Sequence, residues 1–395
     1  MTTTITRQDI GLSVYPCTSI VMKAFNSNEA ITAGRDMFRD NNLLLTYWRT
    51  GLRRVFDVAT DYSEPMADGP IALAVMPDVL TNNPDDPVSH RVVTAMRATD
   101  GRLKLISWSI SPVMRSVRRI ADSEDQAGAA SVIAMTHLAE SNLLVTAVRA
   151  GNGRLKLISW KLRASGRFLR LGDSGDQGEA VSLICATSFA NGSSHTVVTA
   201  VKTADGILKL ITWQISDDGT SIERRSEESS SSPIREFSMD DFTGLVQGFE
   251  SGVVTAAITE AGALNVVSWR IPVDGSSIQR LHKSTRGLSA GARIDIARIA
   301  SPVSANGVVP TFVTSINESD GGEHQKLIAF EIGVDGSVTE SGATVDLDGF
   351  IRESATAIAK SGTDVITARV EPAEAFPLMV LTTWDLSSNV SPNVT

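Results

Sequence analysis

Five side chains interrupt short apolar segments in a way that could do chemistry: Lys23 in SIVMKAF, Gln247 in GLVQGF, Asp295 and Arg298 in IDIARIA, and Lys360 in ATAIAK. Three cations, a carboxylate and an amide converging on one site would bind an anionic or carbonyl-bearing small molecule and stabilise negative charge as it develops. Asp295, or Lys23 or Lys360 with a lowered pKa, would then move the proton, while Arg298 and Gln247 hold the substrate. His137, closing the segment SVIAMTH, is a further binding candidate. The alternative for the whole set is that these groups only solvate a water-filled channel. His90, His137, His195, His282 and His324 show no ligand spacing, and no G-x-S-x-G elbow, H-E-x-x-H helix, P-loop or dinucleotide fingerprint occurs. The expectation is therefore a site without metal or organic cofactor.

Such residues need a scaffold, and a repeat supplies it. Seven copies of one phrase end on an aromatic residue, at Trp48, Trp108, Trp160, Trp213, Trp269, Phe330 and Trp384, which lie about 52 to 61 residues apart by these positions. The clearest copies are VVTAMRATDGRLKLISW, LVTAVRAGNGRLKLISW and VVTAVKTADGILKLITW, ending at Trp108, Trp160 and Trp213. The copies are called repeats 1 to 7 in chain order. Apolar residues alternate or run in short β-branched blocks, and Asp100-Gly101, Asn152-Gly153 and Asp205-Gly206 separate the two halves of the phrase as hairpin turns. A second turn, Asp218-Gly219, Asp274-Gly275 or Asp335-Gly336, follows Trp213, Trp269 and Phe330 at one offset, which marks Phe330 as the degenerate member of the aromatic set.

Four strands per repeat, repeated to the end of the chain, resemble a seven-bladed β-propeller. The repeat lacks the Gly-His and Trp-Asp pairs of WD repeats, Trp384-Asp385 occurring once, and the double Gly of kelch blades. The resemblance implies an all-β ring of four-stranded blades over residues 15–62, 68–123, 129–174, 179–228, 241–285, 292–344 and 353–388. Residues 3–10 would complete the last blade and close the ring, covering an exposed edge. Inner strands would begin near Ser19, Ile71, Ser131, Val181, Thr243, Ile294 and Ala355 and line the central channel, where the polar set above would gather. Each repeated Trp is expected to pack between blades rather than to form a sugar-stacking platform. The basic residue three positions after the Thr (Arg35, Arg97, Arg149, Lys202) is expected to pair with an acid after the outer strand, such as Asp122 or Asp173. Repeat 5 has Ile258 at the first position and Lys283-Ser284 at the second. The run SEESSSSP, residues 226–233, reads as a surface loop.

Of 395 residues, 42% are hydrophobic and 21% charged, the composition of a globular protein with a sizeable core. A formal charge of −9 disfavours nucleic acid and anionic membrane as partners. The N-terminus shows no leader pattern, so a cytoplasmic location is expected. Cys17 and Cys185 are too few for a disulfide framework, and Cys185 is expected to be buried in a strand.

A single site in a ring must break the repeat where it sits, and repeats 5, 6, 7 and 1 depart from the phrase that repeats 2 to 4 keep. This favours a small-molecule enzyme, a lyase, isomerase, cyclase or hydrolase acting at the channel mouth. A multivalent carbohydrate-binding propeller is the first alternative, opposed by the scarcity of aromatic residues. A protein-interaction scaffold using the acidic loops DSEDQ and DSGDQ is the second.

Overall fold

The computed structural model describes residues 3–388 apart from 14–16, 27–28, 37–41, 52–53, 67–68, 77–89, 112–115, 125, 139–140, 176, 192–193, 243–250, 289–290, 300–302, 305–306, 309–310, 319–323, 343–345, 348–356, 362–363 and 372–377. Among the described residues there is no helix, and every strand pairing is antiparallel. The fold is all-β and propeller-like, built from consecutive sheets that order their strands as the chain does, except that the N-terminal strand joins the last sheet.

The first three sheets have four strands each. They run Cys17–Asn26, Glu29–Asp36, Asn42–Gly51, Arg54–Pro65; then Ala72–Met76, His90–Arg97, Leu103–Ser111, Ser116–Asp122; then Ala130–His137, Leu143–Ala150, Leu155–Leu162, Phe168–Asp173. A seven-stranded sheet follows: Val181–Asn191, Ser194–Thr203, Ile207–Ser216, Ile222–Asp241, Gly252–Thr259, Ala263–Arg270, Gln279–Gly287. Repeat 6 forms Gly291–Ile299, Thr311–Glu318, His324–Ile332 and Val338–Glu340, with Asp346–Leu347 also pairing with His324–Ile332. In the last sheet, Ala357–Ser361, Asp364–Glu371 and Leu378–Ser388 are joined by Thr3–Ser13, paired with Leu378–Ser388.

The repeated phrase forms the two middle strands of each repeat. Trp108, Trp160 and Trp213 are 0% exposed and Trp269 is 1% exposed, so the indoles are core rather than platforms. A buried indole N–H must find an acceptor. The Thr of each VTA segment provides it: Nε1 donates to Thr94, Thr146, Thr199 and Thr255 Oγ1 at 2.9, 3.0, 2.9 and 2.9 Å. Phe330, buried in the same place, carries no N–H to satisfy. Just before the indole the outer strand bulges, with register shifts at Tyr47/Trp48, Ser107/Trp108, Ser159/Trp160, Thr212/Trp213 and Ser268/Trp269. Thr3–Ser13 repeats that irregularity, placing Arg7 opposite Trp384 and Asp9 opposite Thr383.

Two hydrogen bonds recur from one repeat to the next. The hydroxyl preceding each Trp donates to a turn carbonyl of the following repeat: Ser107 to Gly166 (2.7 Å), Ser159 to Gly219 (2.5 Å), Thr212 to Gly275 (2.6 Å) and Ser268 to Gly336 (2.5 Å). At Gly166 and Gly336 φ is +82° and +81°, and an added Cβ would lie 2.3 Å from Ile120 Cγ2 and 2.4 Å from Leu281 Cδ1, so only glycine fits. The hairpin glycine carbonyls make the second bond, Gly101, Gly153 and Gly206 accepting from the backbone N–H of Ala130, Val181 and Ile234.

This second bond corrects the sequence reading of repeat 5. Ile234 occupies the place of Ala130 and Val181, so the inner strand is 234–241, paired with Gly252–Thr259, and does not begin near Thr243. The run 226–233 is not a loop either. It extends the outer strand of repeat 4, with Ser229 opposite Lys209 and Pro233 opposite Ile207, then leads straight into the inner strand of repeat 5. Proline lowers strand propensity, but pairing with Ile207–Ser216 holds this segment extended up to Ile234, where the ladder with Gly252–Thr259 begins.

Candidate functional site

Of the residues with proposed chemistry, Asp295, Arg298 and His137 are the ones whose side chains are described. Asp295 and Arg298 share the inner strand of repeat 6. Asp295 Oδ1 accepts from Ser238 Oγ at 2.7 Å and from the Ile296 N–H at 3.0 Å. The Arg298 guanidinium donates to Asp241 Oδ1 at 2.9 Å, and its backbone N–H to Asp240 Oδ2 at 2.7 Å. His137 Nε2 donates to the Ser141 carbonyl at 2.8 Å, and its own carbonyl accepts from Ser188 Oγ at 2.6 Å. The contacts of Ser238 with Asp295, of Asp240 and Asp241 with Arg298, and of Ser188 with His137 brace neighbouring inner strands against one another. Lys23 and Lys360 lie on the inner strands Cys17–Asn26 and Ala357–Ser361 with side chains outside the described residues, and Gln247 lies outside them altogether. On the inner strand of repeat 5, burial pushes the Glu236 carboxyl up, against the opposing influence of Arg293 and Lys202. Among the described residues no group of three or more His, Cys, Asp or Glu side chains is placed to hold a metal.

The expected pairing of Arg97 and Arg149 with Asp122 and Asp173 does not form. Both guanidinium groups lie over hairpin glycines, Nη2 being 3.5 and 3.7 Å from where a Cβ on Gly101 and Gly153 would sit. Lys202 Nζ donates to the Arg235 carbonyl at 3.1 Å. The acids are instead held within their own sheets. Asp122 meets Arg119 at 2.6 Å and Lys104 at 3.9 Å; Asp173 meets Arg170 and, at 4.0 Å, Lys156. Repeat 4 keeps the pattern with Glu227, which meets Arg224 and, at 3.6 Å, Lys209. The reason is register. The arginine sits opposite the Trp in each case (Trp108–Arg119, Trp160–Arg170, Trp213–Arg224), and the acid sits opposite Ile106, Ile158 or Ile211, beyond the bulge.

The loops DSEDQ and DSGDQ are similarly committed. Ser123 and Ser174 Oγ accept from the N–H of Leu105 and Leu157, both at 3.0 Å. Gln126 Oε1 accepts from the Arg170 N–H at 3.1 Å, and the Gln177 carbonyl accepts from Arg224 at 2.7 Å, tying each loop to the next repeat.

Repeat 5 keeps the backbone and changes the chemistry. Arg280 stands opposite Trp269, but Lys283 stands opposite Val267 where the acid belongs, and Asn265 replaces the lysine of the middle strand. Both cations are exposed, and among the described residues neither has a hydrogen-bond or ion-pair partner. They line a cleft between repeats 4 and 5, walled on one side by Ser230, Ser231 and Ser232 and floored by Leu208, Ile234 and Val267. Asn265 Oδ1 accepts from the Thr285 hydroxyl at 2.9 Å, which leaves its amide N–H groups for a ligand. The cleft thus offers donors of several kinds beside an apolar floor. Lys283 in the acid's place was visible in the sequence, whereas its meeting with Ser230–Ser232 depended on the course of strand Ile222–Asp241.

No protein-family model matches the chain. No curated protein matches it either. Among solved structures, the chain is similar to the core factor of S. cerevisiae, with 7% identity over 97% of this chain and a TM-score of 0.57; it spans 62% of that chain. It is also similar to the SapL1 lectin in complex with alpha methyl fucoside (12% identity, 85% of this chain and 97% of that one, TM-score 0.48). A mutant Aleuria aurantia lectin in complex with Fucalpha1-6GlcNAc gives 12% identity, 80% and 94% coverage, and a TM-score of 0.49. At these identities the likeness concerns fold alone.

Proposed function

We propose that the protein is a seven-bladed propeller that binds a small polyhydroxylated ligand, of carbohydrate type, in the cleft between repeats 4 and 5. The ring reading is supported by the succession of neighbours. Each inner strand lies against the next, Cys17–Asn26 against Ala72–Met76 and onward, until Ala357–Ser361 lies against both Gly291–Ile299 and Cys17–Asn26. The strand Thr3–Ser13, paired like the outer strands of the other repeats, would complete the seventh blade.

The observation that carries the binding reading is the set of repeat 5 donors, Arg280, Lys283 and the Asn265 amide, beside a serine wall in which the Ser230 hydroxyl donates to the Ser232 carbonyl at 3.1 Å. A sugar ring has an apolar face and a rim of hydroxyls, and its recognition needs directional polar groups around a hydrophobic patch. Arg280, Lys283, the Asn265 amide and the serine wall, over Leu208, Ile234 and Val267, provide that combination. The enzymatic reading is less favoured because Asp295 and Arg298 are engaged by Ser238, Asp240 and Asp241. The test is an NMR titration of the full chain with a panel of saccharides. Shifts at Ser230–Ser232 and Asn265, without turnover, are the expected result; turnover with shifts centred on Asp295 and Arg298 would replace this reading with the enzymatic one.

A further inference from the structure

We infer that the cleft of repeat 5 selects anionic ligands, the ligand's own negative group standing where repeats 2 to 4 carry a carboxylate; this rests on the binding reading above. The comparison is internal to the molecule and exact in register. Across from the residue two before the Trp, three repeats place Asp122, Asp173 and Glu227, and in each an arginine and a lysine converge on the acid. Repeat 5 retains the arginine as Arg280, exchanges the acid for Lys283, and exchanges the middle-strand lysine for Asn265.

That exchange does more than delete a salt bridge. Two positive groups now border one cleft, three positions apart on one strand, with no acid among the residues that line it. The cleft is therefore cationic on a chain whose formal charge is −9. Elsewhere on the described surface, Arg286 is neutralised by Glu340 and Arg235 by Glu260. A ligand oxyanion entering the cleft could take the place of the missing acid between Arg280 and Lys283. Charge-assisted hydrogen bonds of this kind are about twice as strong as neutral ones.

The ligand class is then a sugar bearing an acidic group, either the carboxylate of a uronic acid or a sulfate ester. Both present oxygens to a guanidinium fork and an ammonium, while the ring hydroxyls face the Asn265 amide and the serine wall. The full chain is titrated calorimetrically with methyl glucuronide, glucose 6-sulfate and methyl glucoside as the neutral counterpart. One or both anionic sugars are expected to bind at least about tenfold more tightly than the neutral one, the worth of one charge-assisted hydrogen bond. Preference for the glucuronide would assign the carboxylate source, and preference for the sulfate the ester. Arg280→Gln and Lys283→Asp, both at exposed positions, are expected to abolish the preference, while Lys161→Gln in repeat 3 leaves it intact. Equal binding of all three sugars, or a preference that survives Lys283→Asp, overturns the anion inference and leaves the binding reading standing. Binding of none of the three overturns both.

Discussion

Repeats 3 and 5 place the same backbone under opposite electrostatic conditions. In repeat 3, Asp173 lies opposite Ile158, with Arg170 and Lys156 beside it. Burial disfavours its charge, but the Gly175 N–H and the two cations outweigh that, holding its carboxyl below the usual range. In repeat 5 the equivalent position is Lys283, opposite Val267, and the neighbouring Arg280 is left without an acid. Both repeats bury their Trp, donate its N–H to a Thr, bulge at the same point and latch onto the following repeat. Architecture and surface chemistry have therefore separated: everything that holds the sheets together is shared, and the charged edge is where the repeats differ.

Three changes would break or sharpen this comparison. The largest effect is expected at the shared latch. Gly166→Ala and Gly336→Ala each force an L side chain into the left-handed region and into a packed neighbour, costing about 2–4 kcal/mol. Chemical denaturation should show similar losses at both sites, and a loss confined to Gly166 would mean that repeat 5 does not share the architecture. A smaller effect follows from exchanging the charges. Asp173→Lys should destabilise by about 0.5–1 kcal/mol and Lys283→Asp should stabilise by a similar amount, since partly exposed ion pairs contribute little. Thermal melts in low salt would reveal both signs, and the effects should shrink as salt rises. If Lys283→Asp destabilises, the cations of repeat 5 already have an internal counter-charge and the contrast fails.

The smallest effect concerns the outer turns, where repeats 4 to 6 carry Asp218, Asp274 and Asp335 and repeat 3 carries Ser165. The Ser216 hydroxyl, with the N–H and hydroxyl of Thr220, holds the Asp218 carboxyl down at about 2, against an ordinary value of 3.8. Asp274 and Asp335 are lowered in the same way, by Ser276 and Ser337. Because the folded carboxyl titrates below the unfolded one, its contribution is complete above about pH 4 and is lost as pH falls toward 2. Asp218→Ala should thus lower the melting temperature slightly at pH 7, with the gap closing on acidification. A gap that does not change with pH would show that ionisation of Asp218 contributes nothing to the turn.

Much of this molecule was legible in its residues because the repeat is written at the level of single side chains. The period of the Trp, the VTA threonine and the Asp-Gly turns determined the antiparallel strand pattern, the buried place of the aromatic residue and the equivalence of Phe330 with the tryptophans. A buried ring, a positive φ and a strand alternation are local demands, and each residue type satisfies its own demand wherever the phrase recurs. Tertiary structure decided the rest. Arg97 seemed the natural partner of Asp122 by repeat position, yet the outer-strand bulge beside Trp108 sets Arg119 on the acid, where Lys104 of the adjacent strand also reaches it. The serine run looked like a loop from composition, yet pairing with Ile207–Ser216 straightens it and brings it to the cleft that Lys283 lines. Asp295 and Arg298 looked available on their strand, yet Ser238, Asp240 and Asp241 of the neighbouring repeat occupy them. The contacts of the serine run and of Asp295 and Arg298 join residues far apart in the chain, and the i,i+3 pair Arg119–Asp122 depends on a bulge that only the paired strand reveals; composition carries no record of which strands become neighbours.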